Sequence, residues 1–340
     1  MTLTAPPPVQ TRRPSWPYSI YRAPDGSVER DLTPIRIREI VESGEGSLWV
    51  DVDSCDRHQH ACLEKLFGFH HLAVEDTLSP DTRVKLEEYD RYIFVVIASL
   101  TFDQSTPDPF DLTTTNLYFF LGRNYLVTVH GRSLRPISVV QERFTRSPDL
   151  LTRGPGMTMH ALIDTAVDLY FPLVEHVDCQ VDDMEQRLFE EFDQQVIKQI
   201  FQAKRMTVDL RRRMGPLREV LNILTNRPCG FLPQASQLYY RDVYDHTIRI
   251  VESVDNTRDI LSSVLDTYLS QVSNRMNQVM KELSIVSTIA LPIVAIGGIF
   301  GMNIHSLPFM ETVWGWAVVI GFMAAVSGVM LWTLRKNRWL

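Results

Sequence analysis

Two uncharged apolar runs near the end of this 340-residue chain constrain its fold more than any other feature. Leu283 to Met302 and Val313 to Leu334 contain no Asp, Glu, Lys or Arg, and only the ten residues Asn303 to Thr312 separate them. Each run is about the 20 residues an α-helix needs to cross a hydrocarbon core of roughly 30 Å. Two spans with so short a connection predict a hairpin whose two outer ends face the same side of a membrane. Gly301-Met302-Asn303 falls where the first span ends, at the far mouth of that hairpin.

Bulk composition conceals this. With 45% hydrophobic residues and a formal net charge of −7, the chain resembles a soluble acidic protein,. Pro6, Pro7, Pro8, Arg12, Arg13 and Pro14 leave no apolar stretch at the start, so no cleaved signal peptide is expected and residues 1–20 read as a disordered tail,. Basic residues beside the spans predict orientation. Arg275 and Lys281 precede the first, Arg335, Lys336 and Arg338 follow the second, and 303–312 carries no Lys or Arg. The bulk of the chain and both termini are therefore expected in the cytoplasm, with the loop outside.

Four cysteines, at positions 55, 62, 179 and 229, suit a reducing compartment without disulfides,. Cys55, His58, His60 and Cys62, with His70 and His71 nearby, invite a zinc reading, but structural zinc sites use tighter, repeated ligand pairs,. The preferred reading is a helix start with exposed polar residues after the strand Leu48 to Asp51. No nucleophile–base set or phosphate-binding loop is present, so an enzyme is not expected, and neither is a nucleic-acid partner.

Residues 21–155 mix strands with short helices. Tyr92 to Leu100 reads as a buried strand, and Leu117 to Phe120 with Tyr125 to His130 reads as a hairpin across Gly122-Arg123-Asn124,. An α/β domain follows from this pattern. Residues 156–233 predict an antiparallel helical hairpin, His160 to Arg187 and Gln195 to Leu224, turning near Glu190, Glu191 and Asp193. Those acids read as a solvated turn, or as a source of negative potential that concentrates cations. Residues 234–302 predict one stalk helix continuing into the first span. No Gly or Pro occurs between Gln234 and Leu291, and apolar residues recur every three or four positions from Ile250 to Leu283. Such a helix would be on the order of 100 Å long and needs partners along its length, which self-association about an axis supplies. The loop 303–312, the second span 313–334 and a basic tail 335–340 complete the chain.

One stripe of the stalk helix is distinctive. Asn277, Met280, Ser284, Ser287, Leu291, Val294 and Gly298 follow a 3-4 spacing and include no carboxylate. Mg2+ sheds water reluctantly, and a wide uncharged path with hydrophobic rings at Met280 and Leu291 would suit a hydrated ion. The same stripe would also serve tight helix packing, with Gly297 and Gly298 as close contacts.

An apolar helix ending in Tyr-Gly-Met-Asn, a loop with Pro, and a last helix closing on basic residues and Trp-Leu characterise the CorA magnesium transporter family. This chain has Phe300-Gly301-Met302-Asn303, then Pro308, then Arg335-Lys336-Asn337-Arg338-Trp339-Leu340. Arg241 to Ile248, Arg258-Asp259-Ile260 and Asp266 to Ser270 resemble the family's stalk, and Pro216 to Leu221 resembles its preceding helix. His71 to Asp76 and Lys85 to Tyr89 resemble its N-terminal domain. The resemblance runs from about residue 45 to the C-terminus.

It implies a funnel-shaped homopentamer in a lipid bilayer, with an α/β cytoplasmic domain, a long stalk helix and a two-helix transmembrane hairpin. The membrane would be the plasma membrane, the inner membrane of a prokaryote. The implied activity is influx of Mg2+, with Co2+ as a further cargo. Gly301, Met302 and Asn303 would form the selectivity filter, and Asn277, Met280, Leu291 and Val294 match interior pore positions. Mg2+ would also be the regulatory ligand, closing the pathway from the cytoplasm at Asp76 and Asp242, with Glu75, Asp245 and His246 as secondary ligands. Phe300 departs from the usual Tyr, and the loop carries His305 and Glu311 in an unusual arrangement. His305 keeps softer metals in play, so a Zn2+, Co2+ or Ni2+ transporter, with or without proton coupling, is one alternative. A membrane-anchored metal sensor without conduction is another.

Overall fold

The structure is a computed structural model that describes residues 17–79, 82–103, 105–131, 134–190, 194–227, 230–302 and 313–337. It divides into two compact units, one ending at Ser262 and the other running from Ser263 to Leu340.

The first unit opens with β1 (Tyr18–Arg22) and β2 (Val28–Arg30), followed by α1 (Pro34–Ser43) and β3 (Ser47–Asp53). Three short helices come next, α2 (Arg57–His60), α3 (Cys62–Phe67) and α4 (His71–Asp76). Then come β4 (Lys85–Glu88), β5 (Tyr92–Phe102), β6 (Leu112–Gly122) and β7 (Tyr125–His130). The sheet order is β2-β1-β3-β7-β6-β5-β4, antiparallel throughout except for the parallel pair β3·β7. A strand begins at Tyr18, so the expected tail 1–20 is too long by Tyr18, Ser19 and Ile20, which pair with Asp51, Val50 and Trp49. Residues 1–16 lie outside the described residues.

Alternation along the strands decides what each sheet face meets. Val50 and Val52 of β3 join Ile37, Ile40, Leu63, Ala73 and Val74 from α1, α3 and α4. Phe69 is the hub of that side, stacking on Phe120 at 4.1 Å and lying 4.8 Å from Tyr92. Trp49 and Asp51 face the other way, onto α5 (Arg135–Arg146), where Trp49 meets Phe144 edge-on at 5.5 Å. Asp51 is buried there and its carboxylate is fully engaged. It accepts from Thr128 Oγ1 (2.6 Å) and Gln141 Nε2 (3.1 Å) and lies 3.2 Å from His130 Nε2. These bonds offset the cost of burying a charge.

The tight approach of β1 to the α1–β3 turn needs a glycine. Gly46 has φ +72°, and a Cβ there would sit 2.5 Å from the Arg22 carbonyl oxygen. That contact is with backbone, which has no cheap way to move. The buried Asn124 in the β6–β7 turn braces the same loop, donating to the carbonyls of Ile40 (2.7 Å) and Glu45 (3.2 Å).

The helical half differs from the expected two-helix hairpin. Where one helix is anticipated from His160 to Arg187, two occur, α6 (Pro155–Asp168) and α7 (Tyr170–Glu190). Pro172 explains the break, because its ring cannot accept the Asp168 carbonyl as a helical neighbour and has no N–H to donate to it,. α6 then packs on β3, β6 and β7 and belongs with the sheet rather than with a hairpin. Tyr170, fully buried, donates its hydroxyl to the Ala98 carbonyl and pins the break to β5. Next come α8 (Gln194–Asn226) and α9 (Gln237–Phe300), the latter preceded by a 3-10 turn at Gln234–Ser236. Glu191 and Asp193 of the anticipated acidic turn, with Cys229, lie outside the described residues.

α9 is one helix of 64 residues, as the absence of breakers predicts. Tyr240, Val243, Ile250, Val254, Leu261 and Tyr268 are buried at helical spacing, and Asp178 of α7 accepts from Ser253 (3.3 Å) and from Thr257 (2.5 Å). In the second unit, α9 and α10 (Gly315–Lys336) are both long and apolar enough to span a membrane. Gly46→Ala is expected to destabilise the first unit by more than about 1 kcal/mol through forced strain at a left-handed position, read as a lower thermal unfolding midpoint.

Candidate functional site

α9 carries two groups of functional candidates. In the second unit every member of the stripe Asn277, Met280, Ser284, Ser287, Leu291, Val294 and Gly298 is exposed. The half-buried positions are Ile285, Ile289, Pro292, Ile296 and Phe300, one or two residues on from members of the stripe and so on the opposite side of the helix,. They form the seam with α10. Adjacent glycines divide between the two faces: a Cβ at Gly297 would meet Met323 at 3.5 Å, while one at Gly298 would meet nothing within 4 Å. The stripe is therefore not the packing seam between the two spans of one chain. Past the end of α9, Gly301 N–H donates to the Gly297 carbonyl (2.9 Å) and Met302 N–H to that of Ile299 (3.3 Å), which closes one more turn. Asn303 lies outside the described residues, as do His305, Glu311 and Arg338.

In the first unit, Asp164 and Asp168, four residues apart on α6, converge with His246 of α9. One ligand atom from each lies within 4.8 Å of the others. The His246 Nδ1 is buried without a hydrogen-bond partner, and its Nε2 is 4.0 Å from Asp242 Oδ2. No hydrogen bond or ion pair among the described residues engages the carboxylate of Asp164 or Asp168. Burial, then the charge of Asp168, raises the Asp164 pKa above its ordinary value, against an opposing pull from His160 and His246. Burial lowers the pKa of His160, whose Nε2 meets the Tyr239 carbonyl at 3.1 Å. The half-buried Asp164 and the exposed Asp168 repel one another, and an orphaned imidazole nitrogen wants a donor or a metal. A divalent cation answers both demands, so this donor set fits one.

Of the regulatory ligands anticipated from sequence, His246 belongs to this cluster and Asp242 touches it. Asp245 is exposed and makes no ion pair among the described residues. Asp76, at the end of α4, keeps different company: its Oδ2 accepts from Lys85 Nζ at 2.7 Å, and Lys85 also reaches Glu87 Oε1 at 2.6 Å. Glu75 is exposed beside it. These residues, with Leu72, Glu88 and Tyr89, line an open pocket of about 660 Å³. Burial, then a hydrogen bond to Glu87, pushes the Tyr89 hydroxyl up to about 12. Among the described residues, no hydrogen bond or ion pair joins this pocket to Asp242 or His246.

The Cys/His cluster is dispersed among ordinary contacts. Cys55 Sγ donates to the Gly131 carbonyl (2.8 Å), Cys62 Sγ to that of His58 (3.3 Å), and His60 Nε2 meets Thr77 Oγ1 at 2.9 Å. His70 caps α4 by accepting from Leu72 N–H (3.2 Å), and His71 Nδ1 pairs with Glu64 (2.9 Å). Among the described residues the only three-ligand group is the one at Asp164, Asp168 and His246.

A two-span hairpin on a helix that also carries an acid–imidazole cluster defines a membrane protein that handles cations. The sequence profile described as "CorA-like Mg2+ transporter protein" matches residues 44–336. The chain is 34% identical over 277 residues to the cobalt/magnesium transport protein CorA of Thermotoga maritima, covering 81% of this chain and 78% of that one. The complete structure of the CorA magnesium transporter from Methanocaldococcus jannaschii superposes with a TM-score of 0.81 at 20% identity, covering 95% of this chain and 98% of that one. Full-length CmaX gives 0.73 at 20% identity, over 95% and 97%. The chain belongs to the CorA-like Mg2+ transporter family, a family of divalent-cation transporters and not of enzymes.

For the metal-free protein at pH 7, Asp164→Asn is expected to raise the melting temperature by about 2–4 °C, because it removes a repulsive buried charge. The linkage sign agrees: an acid whose folded pKa is raised weakens the fold above its unfolded value and stops doing so once protonated. The same variant is expected to lose most of the further gain that millimolar Mg2+ gives the wild type, both read by differential scanning fluorimetry.

Proposed function

We propose that the chain is a homopentameric Mg2+ influx pathway of the plasma membrane, with Co2+ as a second cargo, closed by Mg2+ on its cytoplasmic side. The carrying observation is the exposed, carboxylate-free stripe of α9, which the seam with α10 leaves uncovered. An unpartnered stripe of small and apolar residues on a membrane helix asks for copies of itself, and five would place it around an axis. Met280 and Leu291 would then form rings wide enough for a hydrated ion yet able to dewet. Gly301 carbonyls, with Met302 and Asn303 amides beside them, would offer neutral oxygens to the water shell of Mg2+ at the outer mouth. A neutral filter holds the ion weakly enough for it to leave.

The basic residues Arg275, Lys281, Arg335 and Lys336 favour a cytoplasmic location for the first unit and both termini,. Closure then has a physical source. Asp164, Asp168, Asp242 and His246 would hold one cytoplasmic cation, and Asp76 with Glu75 would face Asp242 of a neighbouring copy across a second. Without cations these acids repel, contacts loosen, and the open arrangement gains population. An imidazole among the ligands also accommodates Co2+, in keeping with mixed nitrogen and oxygen preference.

Reconstitution in proteoliposomes tests conduction and feedback together. Asn303→Ala is expected to abolish most Mg2+ uptake, and Asp242→Asn to raise the half-closing cytoplasmic Mg2+ by about tenfold through lost cation binding. Uptake that survives Asn303→Ala intact would remove the filter assignment. Wild-type vesicles that bind Mg2+ but never conduct it would favour a sensor, and Zn2+ flux that needs a pH gradient would favour a proton-coupled carrier.

A further inference from the structure

Lys85 occupies the position that a regulatory cation at Asp76 would need. Its ammonium lies 2.7 Å from Asp76 Oδ2 and 2.6 Å from Glu87 Oε1, and also stands over the Phe94 ring, 5.6 Å from the centroid. Lys85 and Asp76 are only about one-third exposed, at 30% and 32% of their side-chain surface, so water screens the pair incompletely,. Four carboxylates, Glu75, Asp76, Glu87 and Glu88, share the pocket with this single lysine, which leaves a net charge of −3.

Resting on the reading of Asp76 as a regulatory ligand, we propose that Lys85 is a tethered competitor that sets the Mg2+ concentration at which the pathway closes. A divalent ion on the Asp76 carboxylate, bound directly or through its waters, would stand within a few ångströms of the ammonium, and like charges at that range repel strongly. The two occupants therefore exclude each other at Asp76. Glu87 gives the displaced ammonium somewhere to go, because Lys85 already holds both acids and needs only to release one. In the absence of Mg2+ the lysine neutralises Asp76, lowers the repulsion between acids, and so weakens the apparent affinity for the cation. Closure then requires enough Mg2+ to outcompete an internal charge whose local concentration never changes. The competition makes the threshold a property of this pocket and independent of pore composition.

The test is a Mg2+ titration of the full-length protein in nanodiscs, read as protection from limited proteolysis and, separately, as half-closing concentration in flux. Lys85→Met keeps an apolar stem and deletes the charge, so its midpoint is expected to fall about tenfold. Glu87→Gln removes the alternative seat and holds the ammonium on Asp76, so its midpoint is expected to rise. Lys85→Arg retains the charge and is expected to keep a midpoint near the wild-type value. An unchanged midpoint in Lys85→Met, while Asp76→Asn weakens Mg2+ protection, overturns the competitor role and leaves the Asp76 reading standing. An unchanged midpoint in Asp76→Asn sinks that reading and the competitor with it. Should Lys85→Met fail to fold, Glu87→Gln decides alone, and a midpoint that does not rise overturns the proposal.

Discussion

Everything in this protein depends on the uninterrupted backbone hydrogen bonding of α9. A helix that runs from Gln237 to Phe300 without a break has to satisfy two solvents with one backbone. Its first half buries Tyr240, Val243, Ile250, Val254 and Leu261, while the residues after Val272 have no such cover. In lipid only a segment that bonds its own N–H and C=O groups can persist, and the apolar end of α9 does so except at Pro292. The same helix therefore carries Asp242 and His246 among polar partners and the stripe Asn277 to Gly298 among apolar ones. A change in how the acids pack bears on the helix that carries the stripe.

The acids themselves are arranged as an unfinished electrostatic problem. Asp51, in the sheet, is buried and answered by Thr128, His130 and Gln141. Asp164 and Asp168 are less buried but unanswered, and His246 presents an orphaned nitrogen to them. The contrast separates an acid that holds a fold together from acids held ready for something else. Asp76 is a third case, answered by Lys85.

Much of this was readable along the chain. The two spans, the hairpin of β6 and β7 and the breaker-free stalk all follow from periodicity and from missing charge, which are local properties. The errors had identifiable causes. Tyr18 to Ile20 read as part of a proline-rich tail because their strand exists only through pairing with β2 and, about thirty residues on, β3. The break at Leu169 carries a signal, Pro172, which the apolar spacing that continues through it masks. Asp164 and Asp168 read as one side of a charged helix, since acids four apart are most often solvated. Their partner His246 lies some eighty residues away on another helix, and no spacing rule reaches that far.

The sequence by itself determined that this chain crosses a membrane twice and that one helix joins its soluble part to the first crossing. Length, lack of charge and lack of helix breakers settle such matters within a single segment. Only the tertiary structure decided which acids meet, that Lys85 rather than solvent holds Asp76, and that the α10 seam leaves the stripe of α9 free. The reason is range. Backbone propensity acts over a few residues, whereas charge pairing and packing act over a few ångströms, and only folding makes the second set of neighbours.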